Sequence, residues 1–459
     1  MATYFVAKTG DDANAGTSVS APKLTIDSAW QAVTLGASDD EIIILDSGTY
    51  AGSSNYELSN RNVTTFTIKG DDGTYSGSNQ MPVIDGEGSA EHFMYVRGTA
   101  GSGWLIENIK FINFLVDSGV GIIRYGTTLT QTLNVNNCIF DNNVGICLGL
   151  DHDTTLNVTR CKFINHEDPD TGNYGVIIFT GGSNTNVVRI VNNLFANIGI
   201  KDNSSRLIAT LNNASSRITH NTIAKRNTGV SSVGTPVYLF DIGPGTFEYN
   251  LIYNFDVGGA GAATINGTGD ATVQYNTYGA TDRAWSGSNG PLNGGGTSTG
   301  NLVITADPGF VNYTYNDYRL TPAARSIAID VASGSTESVD ITNTSRATLD
   351  KLAYNNGLRD NGCYETSFWS PTTQVTTNST GEDFVIKTFS NANASFNRIK
   401  MESTSVSRDL EQVPFSVGLN GIIPTSLRQR GLANQLVTAE DNNFQPSYVI
   451  SKGGSSNDT

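Results

Sequence analysis

The chain has 459 residues, more than one compact core usually needs, which fits an extended fold or two to three domains. Lys plus Arg number 28 against 43 Asp plus Glu, a formal net charge of −15, and the mean field of such a chain repels nucleic acid. No uncharged apolar stretch approaches a bilayer span, and four cysteines supply neither a disulfide framework nor a CxxC metal knuckle.

The opening MATYFVAKTGDD has no basic run followed by an apolar run, so no secretory leader is expected there. Pro22 is placed to open a short helix whose apolar side carries Leu24, Ile26, Ala29, Trp30 and Val33. A helix of that kind would cover the exposed apolar end of a repeat array.

A repeat follows. LNVNNCIFDNN (133–143), LNVTRCKFINH (156–166) and VRIVNNLFANI (188–198) share one pattern: a strand, a polar pair, an apolar anchor, then Asn. Aligned on the anchor, the rows are Phe111, Phe140, Phe163, Phe195, Ile223, Ile252 and Tyr278, spaced by 29, 23, 32, 28, 29 and 26 residues. That is the irregular period of a solenoid whose strands are fixed and whose loops vary. Inserted stretches such as 166–175 and 201–216 are expected to project from its edges.

Two residues before the anchors stand Ile109, Cys138, Cys161, Asn193, Asn221, Asn250 and Asn276. Coils stacked in parallel bring equivalent side chains to about 4.8 Å, so apolar anchors form a continuous core column. The asparagines then form a structural ladder, each amide donating to one neighbour and accepting from the other. Cys138 and Cys161 occupy successive rungs of the same ladder, as stacked fillers or as a rung-to-rung disulfide. GGGTSTG (294–300) reads as a flexible loop, without the Lys-Ser/Thr of a phosphate cradle.

Two surfaces are candidate sites. LDHDTT (150–155) and HEDPD (166–170) lie one coil apart, and Asp151, Asp153, Asp168 and Asp170 would gather oxygen ligands for calcium, with His152, His166 and Glu167 nearby. Trp285, Tyr278, Tyr253 and Tyr238 crowd the later coils, where aromatic faces would stack on sugar rings. Beyond Glu365 the pattern changes. Residues 366–380 read as a linker or exchanged strand, 381–450 as a small, mainly β assembly or attachment module, and 451–459 as a mobile tail.

The segment YFVAKTGDDANAGTSVSAPKLTIDSAWQAV (4–33) resembles the start of right-handed parallel β-helix proteins of the pectate-lyase-like superfamily. DEIIILDSGTY (40–50), FTIKGDDG (66–73) and MPVIDGEG (81–88) are similar to their first coils, and DPGFVNYTYNDYRLTPAARSIAID (307–330) with LRDNGCYE (358–365) to their closing signature. The resemblance implies an all-β, right-handed parallel β-helix over 40–365, an N-terminal cap over 1–39, and no single chemistry, because such folds serve lyases, hydrolases, adhesins and scaffolds. Of the NTD, double-Asp, GHG and RIK phrases of β-helix polygalacturonases, NTD and GHG do not occur, RIK stands only at 398–400 beyond the repeat, and the double Asp only at 11–12, 39–40 and 71–72, so the set does not fall in successive coils.

The expected function is therefore a non-enzymatic structural protein of a virus particle, a tail spike, fibre or capsid decoration, able to bind host-surface glycan. Its expected partners are copies of itself, most simply a trimer, and other virion proteins, with neither nucleic acid nor a membrane span. No cofactor is required, and calcium is the one the acidic edge would take. The alternative is a secreted enzyme degrading an acidic polysaccharide, either a calcium-assisted lyase or a glycoside hydrolase with paired carboxylates.

Overall fold

The computed structural model describes residues 2–34, 39–58, 63–89, 92–96, 103–116, 121–125, 131–150, 154–167, 178–180, 187–199, 206–210, 215–224, 238–253, 263–279, 292–304, 308, 310–312, 317–320, 337, 340–343, 362, 370–377, 383–390, 397–403 and 413–415. The chain divides into two compact units, Met1–Ala347 with Ala353–Thr366, and Thr348–Leu352 with Ser367–Thr459.

The first unit is a parallel β-solenoid with one described helix. Strands stack in three columns. The first column runs from Thr3–Val6 through Asp40–Ile44, Thr65–Gly70, Gly103–Glu107, Gln131–Asn136, Thr154–Thr159, Val187–Val191, Ser215–Thr219 and Gly245–Glu248, every pair parallel and in register. Its inward row, Ile42, Ile68, Ile106, Val135, Val158, Ile190, Ile218, Phe247 and Val273, is fully buried. The alternation read from TLNV and VRIV is the reason, since successive side chains point to opposite faces of a strand.

The second column is the ten-stranded sheet carrying the repeat anchors. Phe111, Phe140, Phe163 and Phe195 stack with ring centroids 5.0, 4.8 and 4.9 Å apart and interplanar angles of 19°, 4° and 3°. Ile223, Ile252 and Tyr278 continue the row in register. The third column (Met94–Val96, Ile123–Tyr125, Leu148–Leu150, Ile178–Thr180, Ile208–Thr210, Tyr238–Ile242) closes each coil. It merges with the first through the long strand Ala263–Gln274. Each of these coils therefore carries three strands, whereas the repeat read from the sequence marks the strand before the polar pair and the anchor after it.

The expected helix is present but shifted. Thr25, not Pro22, starts it: the Thr25 hydroxyl accepts the Ser28 N–H, and Ile26–Ala32 is helical. Lys23 is instead held by a parallel bridge to Val6. Ile26, Ala29, Trp30 and Val33 are buried, whereas Leu24 is 40% exposed. Trp30 lies 4.9 Å from Phe66 and 5.8 Å from Trp104, inside the first column. Because Thr3–Val6 is the first strand of that column, residues 1–39 belong in part to the sheet itself.

GGGTSTG is not a loop. Leu292–Thr299 is a strand in register with the Ala263–Gln274 strand, with a shift between Gly267 and Ala271. Gly296 sits at that irregularity with φ 127°, and a Cβ there would lie 2.1 Å from the Ala271 carbonyl oxygen. Only glycine fits.

In the second unit, Ser370–Thr377, Asp383–Ser390, Asn397–Ser403 and Val413–Phe415 form an antiparallel sheet in sequence order. Residues 370–377, within the segment read as a linker or exchanged strand, thus pair with the strand that follows them. Residues 451–459 lie outside the described residues.

Candidate functional site

Two bends flank the second column, and both are built by left-handed residues. Asn108, Asn137, Arg160, Asn192, His220, Tyr249 and Tyr275 precede it, each with φ between 51° and 59°. The residue after each of these turns inward. At Asn193, Asn221, Asn250 and Asn276 the inward side chain is an amide, fully buried. Asn193 Nδ2 donates to Asn221 Oδ1 (3.0 Å), Asn221 to Asn250 (2.9 Å), Asn250 to Asn276 (2.9 Å) and Asn276 to Asn301 (2.9 Å). The second Nδ2 proton of each goes to a strand carbonyl, those of Val158, Ile190, Ile218 and Phe247. Each Oδ1 also accepts the backbone N–H of the preceding rung. Every polar atom of the four amides is satisfied.

Cys161 and Cys138 fill the rungs before Asn193. They are free thiols, not a disulfide. Their Sγ atoms donate to backbone carbonyls, Cys161 to Thr159 at 3.4 Å and Cys138 to Asn136 at 3.4 Å. Burial, then the neighbouring Cys161, pushes the Cys138 thiol well up, so it stays protonated.

At the bend after the second column the side chains are exposed or part-buried at Asn113, Asn142 and Asn165 and buried at Asn197. Asn113, Asn142, Asn165 and Asn197 are left-handed there, with φ of 53° to 56°. Their amides run in the opposite sense to the inner ladder. Asn113 Nδ2 donates to Asp85 Oδ1 (3.0 Å), Asn142 to Asn113 (2.7 Å), Asn165 to Asp141 (2.8 Å) and Asn197 to Asn165 (2.6 Å). Beyond them Phe114, Asn143 and His166 turn into the wall, and Leu115, Val144, Glu167 and Gly199 pair in parallel bridges.

A groove of about 570 Å³ lies on this surface. The outer amides Asn113, Asn142 and Asn165 line it, together with Leu115, Val144 and the carboxylates of Asp85, Glu87 and Glu167. Leu115 is 46% exposed. Asp85 Oδ1 also accepts the Glu87 N–H at 2.9 Å, and Glu87 Oε2 accepts from Gly52 N at 2.9 Å and from the Tyr56 hydroxyl at 2.8 Å. The bond to Glu87, then burial, then the Glu87 charge, pushes the Tyr56 phenol up to about 12. Among the described lining residues there is no Lys or Arg. The groove offers fixed carboxylate acceptors and amides beside an apolar strip, the lining that suits a polyhydroxyl ligand.

The sequence-derived sites fare unevenly. Asp151, Asp153, Asp168, Asp170 and Trp285 lie outside the described residues. Among the described residues, no group of three or more His, Cys, Asp or Glu gathers as a metal site. His166 of the acidic edge is a core residue, its Nδ1 3.6 Å from Cys147 Sγ and its Nε2 against the Gly145 carbonyl. Glu167, its neighbour, does reach the groove.

Tyr278 is corrected as a glycan contact: it is fully buried in register with Ile252, so no sugar reaches its ring. Tyr253 is half-buried, 5.7 Å from Phe310 in an edge-on contact, and Tyr238 begins the strand Tyr238–Ile242. The missed site residues are Asp85 and Glu87 in MPVIDGEG, whose signal was an Asp one residue after the anchor position of an early coil. Asn301, also missed, extends the inner ladder.

Fold and groove together define a parallel β-solenoid with a polar, acidic groove on one bend. In comparisons with known proteins, no family model matches this chain and no curated protein does. No helix among the described residues is long and apolar enough to cross a membrane.

Proposed function

We propose that the protein is a non-enzymatic structural component of a virus particle, of the spike, fibre or capsid-decoration kind, that holds host-surface glycan in the groove lined by Asp85, Glu87, Asn142 and Glu167. The observation that carries this is the groove itself: hydrogen-bonding groups fixed by inter-coil bonds need little ordering when a sugar binds. The similarity of residues 4–33 and 307–330 to pectate-lyase-like β-helices supports a right-handed coil closed by Ile26–Ala32 at its start. In this account the second unit serves assembly into a homo-oligomer, with a trimer as the simplest closed form, and calcium at Asp151, Asp153, Asp168 and Asp170 is optional.

The test is a polysaccharide panel incubated with the full chain. Binding without cleavage supports an adhesive scaffold. Release of unsaturated products or new reducing ends contradicts it and favours the lyase or hydrolase. Microscopy of an intact assembly tests the virion role, since a free monomer with no particle-bound form would exclude it.

A further inference from the structure

Resting on the glycan reading of the groove, we infer that its ligand is an uncharged polysaccharide and that uronate polymers are excluded. Asp85, Glu87 and Glu167 place three carboxylates around one groove of about 570 Å³, with no cation among its described lining residues. On the strand beside that of Asp85, Lys110 is already paired with Asp141 at 2.7 Å. A uronate brought into this groove meets like charge at every carboxylate, inside a chain of net charge −15.

A neutral sugar meets the opposite. Its hydroxyls donate to carboxylate oxygens in charge-assisted bonds, its ring C–H face lies on Leu115 and Val144, and Asn142 supplies amide contacts. Asp85 and Glu87 keep their orientation because Asn113, Gly52 and Tyr56 already hold them. The ladder therefore fixes acceptors that suit donors and repel anions.

The experiment measures binding of the full chain to neutral glucans, galactans and mannans and to polygalacturonate, at low salt and at about 0.15 M, with and without EDTA. At least one neutral polymer is expected to bind with an affinity changing less than about twofold between the two salts, because no net charge pairing is involved. Polygalacturonate is expected not to bind at low salt. The double substitution Glu87→Gln and Glu167→Gln is expected to weaken neutral binding about threefold to tenfold and to admit polygalacturonate. Asn142→Ala, on an exposed rung, serves as a second variant expected to weaken neutral binding with the circular dichroism unchanged. Polygalacturonate binding as tight as any neutral polymer, with or without calcium, would overturn the inference and leave the glycan reading intact. Absence of binding to every polymer would overturn both.

Discussion

From Phe111 to Phe195 the second column is held by stacked rings, while from Asn193 to Asn301 the bend before it is held by hydrogen-bonded amides. The bend rungs of the ring-stacked coils are Ile109, Cys138 and Cys161, whose side chains supply nothing stronger than thiol donors. Where the anchors shrink to Ile223 and Ile252, the bend turns to asparagine. The two devices overlap in the single coil of Asn193 and Phe195. At the inward positions the chain thus passes from stacked rings to buried amides, while the outer amides of Asn113, Asn142, Asn165 and Asn197 run alongside the rings.

Substitutions in the two regions separate those devices. Phe163→Ala removes a ring packed on both sides by parallel neighbours, and the expected loss is about 3–5 kcal/mol, read as a shifted denaturation midpoint. Asn250→Ala strands the N–H and one Nδ2 proton of Asn221 inside the wall, at a cost of about 2–4 kcal/mol. Asn301→Ala should cost only about 1 kcal/mol, because that rung is half-buried and water replaces the lost partner. Equal costs at 250 and 301 would show that the ladder is not the registering element.

A weaker effect lies outside both regions. Arg189 and Arg217 are side by side in register on the first column, and Glu337 bridges them at 3.1 and 2.7 Å. Both arginines are more than a third exposed, so Glu337→Gln is expected to cost about 1 kcal/mol at low salt and less as salt rises.

The smallest effect is on the acid limb of stability. Burial opposes ionisation of Asp71, but the Ser76 side chain and the N–H groups of Ser76, Tyr75 and Gly73 outweigh it and hold the carboxyl below its ordinary value. A lowered folded value stabilises above the unfolded carboxylate value near about 4 and is lost as pH falls through the folded one. Asp71→Asn should flatten the midpoint-versus-pH curve below about pH 4 and leave it unchanged in shape at neutral pH.

How much of this was legible varied with the physics. Phe140, Phe163 and Asn221 announce themselves because stacking coils demand the same residue at the same rung. Asn301 escaped because Gly294–Gly300 looks like a loop, when Gly296 is there to let Ala271 approach. The third column escaped because its strands follow loops of unequal length, so no period marks them. Arg160, His220 and Tyr249 adopt left-handed turns that no local propensity favours; the coil above and below imposes them. The groove depends on which loop tips meet across coils, and DGEG in one coil gives no sign of HE three coils on.

Side-chain amide hydrogen exchange, read by NMR on the asparagine-labelled chain, tests the ladder most directly. Asn193, Asn221, Asn250 and Asn276 are expected to keep their Nδ2 protons until the solenoid unfolds, while the exposed Asn142 exchanges early. Exchange of the four at the rate of Asn142 would mean that their amides are open to water, and the stacked wall described above would not exist.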